Sequence, residues 1–137
     1  MTDDVVLNKA AGIERCLTRV QEEFAGEDKN LFQNQTKQDA IILNLQRACE
    51  TAIDLAMYVV SQRKFGIPQD SRDAFALLET AGLLSHDVAV RMQRMVGFRN
   101  VAVHDYARLN LAVVKAIVTD HLDDFSGFSS AIVRALG

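Results

Sequence analysis

The segment that most constrains the fold is residues 36–63, where apolar side chains recur at helical spacing until Gly66-Ile-Pro68 interrupts the pattern. Thr36 is the expected N-cap of this helix, and Asp39 three residues later gives a weak form of the capping box. The apolar positions cover much more than one narrow stripe: Ile41, Ile42, Leu45, Ala48, Cys49, Ala52, Ile53, Ala56, Met57 and Val60. So wide an apolar surface predicts a central helix, or one shared with a partner subunit.

Four further segments carry helical spacing: one begins at about Asp3, and the other three have Ser71, Ser85 and Asn110 as their expected N-caps. We expect the first helix to end at a loop or frayed turn over 26–30 and the third at Gly82. The fourth should continue towards Asp105, and Gly127 should bend or weaken the last. Strand-like alternation and hairpin turns are absent, so we predict an all-α bundle of about five helices in a single domain, 1–137.

The composition is that of a folded soluble protein, with 49% apolar and 24% charged residues in 137 positions. No run of about 18 apolar residues occurs, and Met1-Thr-Asp-Asp lacks the basic segment of a secretory signal. We therefore expect a cytoplasmic protein that does not associate with membranes.

The residues that usually hold metals are scattered along the chain. Cys16 and Cys49 form no C-x-x-C pair, and the histidines at 86, 104 and 121 lack the spacing that aims several ligands at one ion. We expect neither a metal site nor a cofactor. The net charge of −3 also argues against a protein that coats duplex nucleic acid, so any contact with RNA should be local.

One segment places polar side chains of several kinds among apolar residues: Gly97-Phe-Arg-Asn-Val-Ala-Val-His-Asp-Tyr106. On a continuous helix Arg99, Asn100, His104 and Tyr106 would form one polar wedge. The residue types suit phosphodiester cleavage: His104 can exchange a proton near neutral pH, and Arg99 can brace developing negative charge. Asn100 can position a phosphate or sugar oxygen, and preorganised donors contribute much of the catalysis in phosphoryl chemistry.

This segment resembles the R-x4-H-x-Y signature of the HEPN superfamily, and specifically the HepT-type toxins paired with minimal nucleotidyltransferase antitoxins. Arg99 to Tyr106 matches the signature without a gap, and residues 42–56 and 66–75 are also similar to that family. The resemblance implies a homodimeric helical bundle in which two R-x4-H segments meet across a two-fold cleft. It also implies metal-independent cleavage of single-stranded RNA, with a 2′,3′-cyclic phosphate product and no action on DNA.

The resemblance further implies a control point at Tyr106. A cognate nucleotidyltransferase would transfer AMP to this tyrosine, and the bulky, anionic adduct would block the groove and repel the RNA backbone. The alternative is that Tyr106 only anchors the end of the helix through its ring.

Several nearby residues carry weaker predictions. Asp105 is interpreted as a modulator and not a catalyst; the alternative is that it pairs with Arg99, which would leave Arg99 structural. Arg91, Arg94 and Arg108 are candidate RNA contacts, with plain solvation as the alternative. Glu50 and Asp54 share a face of the central helix, where an ion pair with Arg47 is the preferred interpretation and support of Arg99 or His104 the other.

Two other functions stay open from sequence. A non-catalytic module could use the same cleft to bind a nucleotide or a nucleotidyltransferase, with the polar wedge only recognising phosphate. A plain dimerisation bundle would use neither Arg99 nor His104 chemically. RNA cleavage that depends on His104 separates the first hypothesis from both alternatives.

Overall fold

The computed structural model describes residues 3–136, and all regular structure in that range is helical. The α-helices are α1 (Asp4–Phe24), α2 (Asp28–Phe32), α3 (Gln35–Arg63), α4 (Ser71–Thr80), α5 (His86–His104), α6 (Leu111–Ala116) and α7 (Leu122–Leu136). A 3-10 turn, Tyr106–Arg108, follows α5, and a π-helical turn, Ile117–His121, joins α6 to α7. The predicted all-α bundle is confirmed.

The central element is α3, which packs against α1, α4, α5 and α7. Twelve of its residues are buried, and they point to several sides of the helix rather than to one stripe. This position explains the wide apolar surface that the sequence shows, because a helix surrounded by neighbours must be apolar nearly all round. The prediction of a central helix is confirmed.

The far end of the chain is tied to the middle by a pair of buried rings. Phe75 on α4 and Phe128 on α7 meet edge to face, with centroids 5.3 Å apart and an interplanar angle of 72°. Such pairs contribute about 0.5–1.5 kcal/mol beyond the area that they bury. The contact fixes α4, and with it Ser71 at the start of that helix, against the C-terminal helix.

Two of the predicted N-caps are confirmed by their hydrogen bonds: Ser85 accepts from the backbone N–H of Val88, and Asn110 from that of Ala112. Asp3, where the first helix was expected to begin, caps α1 by accepting from the N–H groups of Val5 and Val6. Gly82 also follows α4 as predicted, with a φ of +86° that favours glycine.

Two predicted caps are wrong, each by a short shift along the chain. Asn34, rather than Thr36, caps α3 by accepting from the N–H of Lys37 at 3.0 Å. Asp70, rather than Ser71, caps α4 by accepting from the N–H of Asp73 at 2.9 Å. Asn and Asp are at least as good at this position as Thr and Ser, so the earlier polar residue caps and the later one becomes helical.

Two irregularities also differ from the prediction. The polar segment 26–30, expected to be a loop or frayed turn, overlaps the short helix α2, whose Leu31 is buried in the core. In the last helical run the regular hydrogen bonding is interrupted at the π turn, residues 117–121, whereas Gly127 lies inside α7 without breaking it. Over residues 3–136 no helix is both long and apolar enough to cross a membrane.

Candidate active site

The C-terminal turns of α5 carry the polar segment that the sequence singles out. The helix begins at the Ser85 cap and ends at His104, because Asp105 leaves helical geometry with φ −150° and ψ 52°. The N–H of Asp105 still donates to the carbonyl of Val101 at 2.9 Å and closes the last turn. His104 therefore sits at the helix end, one turn beyond Arg99 and Asn100.

Arg99 is held in a defined orientation by two uncharged partners. Its Nε donates to Oδ1 of Asn100 at 3.0 Å, and its Nη2 lies 3.4 Å from Oγ of Ser71 on α4. No carboxylate of residues 3–136 forms a salt bridge with it, because Asp105 pairs with Arg108 at 3.4 Å instead. The partly buried guanidinium thus keeps its charge free for an anionic ligand.

The buried thiol of Cys49, on the central helix, lies within range of the positive charge of Arg99. Burial raises the pKa of the Cys49 thiol well above its usual range, while the charge of Arg99 acts in the opposite direction. The protonated thiol carries no negative charge that could neutralise the guanidinium. The surroundings of Arg99 on α5 thus include Cys49 of α3 and Ser71 of α4.

The imidazole of His104 is exposed and makes no hydrogen bond within the part of the chain that the structure describes. Neither ring nitrogen is committed to a protein group, so both are available to a substrate. Arg99 and Asn100 are half-buried and fixed, whereas His104 is open. The arrangement pairs an oriented cation with an accessible proton carrier.

Tyr106 does not share the helical wedge, and that part of the prediction is wrong. Because the helix ends at His104, Tyr106 begins the 3-10 turn and its ring crosses to the start of α3. There its hydroxyl donates to Oδ1 of Asp39 at 2.7 Å. Burial and this hydrogen bond raise the pKa of Tyr106 to about 12, although 45% of the residue remains exposed.

The three flanking arginines lie around one groove of about 560 Å³ between α5 and the α6–π run, with Phe98 and Val101 on its apolar wall. Arg91 is tied down by Asp124, whose buried carboxylate accepts from it at 3.0 Å, and by Asp87 at 3.2 Å. Arg94 forms no salt bridge with any described residue. Neither Arg99 nor His104 lines this groove, so it is a neighbour of the site and not its centre.

The ion pair predicted on the central helix is not formed. Glu50 accepts from Nε2 of Gln46 at 2.8 Å, and Arg47 faces a groove between α1 and α3 together with Arg15. Asp54 is exposed, and no described hydrogen bond joins Glu50 or Asp54 to the polar segment of α5. Within residues 3–136 no group of three or more His, Cys, Asp or Glu side chains is placed to hold a metal ion.

The comparisons with known proteins agree with the geometry. A family model described as Ribonuclease HepT-like matches residues 13–132. The chain belongs to the HepT-like ribonuclease family. The mRNA nuclease HepT of Shewanella oneidensis is 45% identical to this HepT-like chain over 130 residues, which cover 95% of the chain and 97% of the relative.

Solved structures of similar proteins extend the likeness to three dimensions. A toxin–antitoxin crystal structure with AMP-PNP superimposes with a TM-score of 0.90 at 44% identity, covering 95% of this chain and 98% of that one. A tri-AMPylated Shewanella oneidensis HEPN toxin in complex with an MNT antitoxin also gives 0.90 at 44% identity, covering 96% and 98%. The suspected family resemblance is confirmed.

In this HepT-like protein the structure joins Arg99 to Asn100 by a hydrogen bond and places His104 one turn further along the same helix. Tyr106 lies on the 3-10 turn that follows. The structure also adds two residues that the sequence reasoning did not assign to the site, Ser71 beside Arg99 and Asp39 beside Tyr106. Both were interpreted only as helix-capping residues, and their spacing along the chain gives no signal of contact with positions 28 and 67 residues away.

Proposed function

We propose that this HepT-like protein is the toxin of a toxin–antitoxin pair and a metal-independent RNA endonuclease, with Arg99 and His104 at its active centre. The observation that carries the proposal is the pairing of an oriented, unneutralised guanidinium with a free imidazole at the end of α5. Membership of a ribonuclease family and the name of the Shewanella relative, mRNA nuclease, support it.

The proposed reaction is cleavage by the RNA's own 2′-hydroxyl. The 2′-oxygen forms a bond to the adjacent phosphorus, the bond from phosphorus to the 5′-oxygen breaks, and a 2′,3′-cyclic phosphate remains. Histidine removes the proton of the attacking hydroxyl and another histidine protonates the leaving oxygen. Arg99 stabilises the charge that builds on the phosphate oxygens, with Asn100 as a second donor. DNA lacks the attacking hydroxyl and should be spared.

Two histidines imply two subunits, since each chain supplies one His104. We propose a homodimer in which the two R-x4-H segments face each other across a two-fold cleft. The last turns of α5 carry exposed apolar side chains, Val101 and Val103, which are 37% and 45% accessible. Apolar surface beside a charged site is suited to burial between copies.

We further propose that a nucleotidyltransferase antitoxin switches this enzyme off by transferring AMP to Tyr106. The similar HEPN toxin is tri-AMPylated and bound to an MNT antitoxin, and Tyr106 is exposed enough to be reached by another protein. A nucleotide added there places a phosphate anion and a base two residues from His104, where it repels RNA and blocks its approach. The proposed site of action is the cytoplasm, where both RNA and the antitoxin are available.

The RNA strand is proposed to continue from Arg99 past Arg94, which lines the α5–α6 groove and forms no salt bridge with residues 3–136. Asp105 acts as a modulator by holding Arg108 at 3.4 Å, which fixes the turn that follows the catalytic histidine. Arg91 is engaged by Asp87 and Asp124 and contributes structure rather than RNA affinity.

The experiment that tests the proposal compares cleavage of single-stranded RNA by the parent and by His104→Ala and Arg99→Ala. Each substitution should lower the cleavage rate by roughly 10²-fold or more, because each removes a group that acts in the transition state. His86→Ala is the matched control: it removes an exposed histidine from the first position of the same helix and should leave cleavage unchanged. Full cleavage by His104→Ala would contradict the assignment.

A further inference from the structure

The contact between Tyr106 and Asp39 joins two elements that are otherwise distant in sequence. The phenolic O–H donates to Oδ1 of Asp39 across 2.7 Å, the shortest hydrogen bond to the site segment, and the same oxygen accepts from Nε2 of Gln35 at 2.8 Å. Asp39 follows the Asn34 cap by one helical turn, on the rigid start of α3. The carboxylate is thus fixed before any partner arrives.

We propose that Asp39 is the general base for modification of Tyr106: it takes the phenolic proton as the tyrosine oxygen attacks the α-phosphorus of a nucleoside triphosphate. This inference rests on the proposed function, since it assigns a residue to the transfer that inactivates the enzyme. It makes the toxin a chemical participant in its own inactivation, with the transferase supplying the nucleotide and the toxin supplying both nucleophile and base.

The step balances without a further reactant. The bond from Tyr106 Oη to the α-phosphorus forms, the bond from that phosphorus to the oxygen bridging to the β-phosphate breaks, and pyrophosphate leaves with the electron pair. The phenolic proton moves along the existing hydrogen bond to Oδ1 of Asp39. Water then removes this proton, and the carboxylate is restored.

The chemistry requires such a base. With a pKa of about 12, Tyr106 is ionised in only about one molecule in 10⁵ at neutral pH, so a free phenolate cannot supply the nucleophile. The carboxylate that accepts the hydrogen bond keeps the proton on the phenol in the resting state. When the oxygen begins to bond to phosphorus its acidity rises, and a base already within hydrogen-bonding distance can take the proton.

The surroundings leave the opposite side of the phenol open. Tyr106 is 45% exposed, so a nucleotide can approach the oxygen from solvent while the proton faces α3. Asp39 is the charged group that α3 presents to this hydroxyl. The other charges close by in sequence belong to its own turn, where Asp105 and Arg108 are paired with each other.

The test measures the rate of AMP addition to Tyr106 by intact-mass spectrometry, with the full chain, its nucleotidyltransferase and magnesium ATP. Asp39→Asn keeps the size and an acceptor oxygen but cannot hold a proton, and should lower the rate roughly 10²-fold. Asp39→Glu keeps a carboxylate and should recover part of the loss. Asp54→Asn is the matched control, since it removes an exposed carboxylate from the same helix and should leave the rate unchanged.

A pH series separates a base from a merely structural contact. Dividing the parent rate by the Asp39→Asn rate cancels the pH dependence of the transferase itself. This ratio should fall as pH rises, because in Asp39→Asn more Tyr106 ionises to phenolate and no longer needs a base. A ratio that is constant with pH, or Asp39→Asn modified at the parent rate, would overturn the proposal. If instead the parent and Tyr106→Phe gain equal numbers of AMP groups, Tyr106 is not the modified residue. That result would refute the proposed function of Tyr106, and not only the role of Asp39 as its base.

Discussion

At the residue scale the site depends on how Arg99 is held. Its Nε bond to Asn100 at 3.0 Å is within the usual range, whereas the 3.4 Å contact with Ser71 is at the long limit. Neither partner is charged, so the guanidinium is oriented without being neutralised. This distinguishes Arg99 from Arg91, whose charge is already met by two carboxylates.

The two partners of Arg99 should therefore contribute unequally to catalysis. Asn100→Ala should lower the single-turnover rate of RNA cleavage about tenfold or more, because it frees the guanidinium and removes a phosphate donor. Ser71→Ala should cost about threefold or less, since its contact is weak. Equal losses in the two variants would contradict the orientation described for Arg99.

Asp39 should also change the pH titration of Tyr106, which can be followed by absorbance. In a Tyr58→Phe background Tyr106 is the one remaining tyrosine, and its phenolate absorbance reports its titration. At a pH of about 10.5 the phenol should be mostly protonated, because burial and the Asp39 hydrogen bond raise its pKa to about 12. Asp39→Asn removes the carboxylate and leaves the burial unchanged, so it should shift the titration part of the way towards the usual value of about 10. Identical titration curves would show that Asp39 does not act on this hydroxyl.

At the element scale, the periodic pattern of the sequence was sufficient to predict the long helices and the central place of α3. The starts of α3 and α4 were harder to predict, because in each case two nearby polar residues could serve as the N-cap. The position of Tyr106 outside α5 was also hard to predict, because nothing in the sequence near His104 and Asp105 marks the end of the helix. Ser71 and Asp39 could not be assigned because their contacts with the site form only when helices far apart in sequence pack together.

The shifted cap of α4 gives a direct test at this scale. Asp70→Ala should lower the free energy of unfolding by about 1 kcal/mol, because the N–H of Asp73 loses its acceptor. Ser71→Ala should change the free energy of unfolding by only a few tenths of a kcal/mol, because Ser71 is a half-buried first-turn residue whose contact with Arg99 is long. Urea denaturation followed by circular dichroism measures both, and a larger loss for Ser71→Ala would show that Ser71 is the cap after all.

At the scale of the whole molecule, a core built around α3 carries the candidate site at one end, where α3, α4 and α5 pack against one another and Arg99 contacts Ser71. The charge of that end is local, as expected for a chain with a net charge of −3 whose proposed substrate is RNA. The proposed dimer completes this end by bringing in a second His104. Function then depends on assembly as well as on the fold of one chain.

Assembly should respond to a charge placed beside the proposed two-fold axis. Val103→Asp should weaken the dimer in sedimentation experiments and lower RNA cleavage in parallel, because Val103 adjoins His104 and is 45% exposed. Val5→Asp, at a similarly exposed valine in the first turn of α1, should leave both unchanged. A fully active monomer would refute a site shared between subunits.

The most direct test of the central claim is cleavage of a mixed single-stranded RNA in EDTA by the unmodified protein and by His104→Ala, with the product ends analysed. We expect 2′,3′-cyclic phosphate ends from the parent alone. If neither protein cleaves RNA while intact mass shows Tyr106 unmodified, the nuclease assignment is contradicted, and a module that only binds a nucleotide or a nucleotidyltransferase becomes the better description.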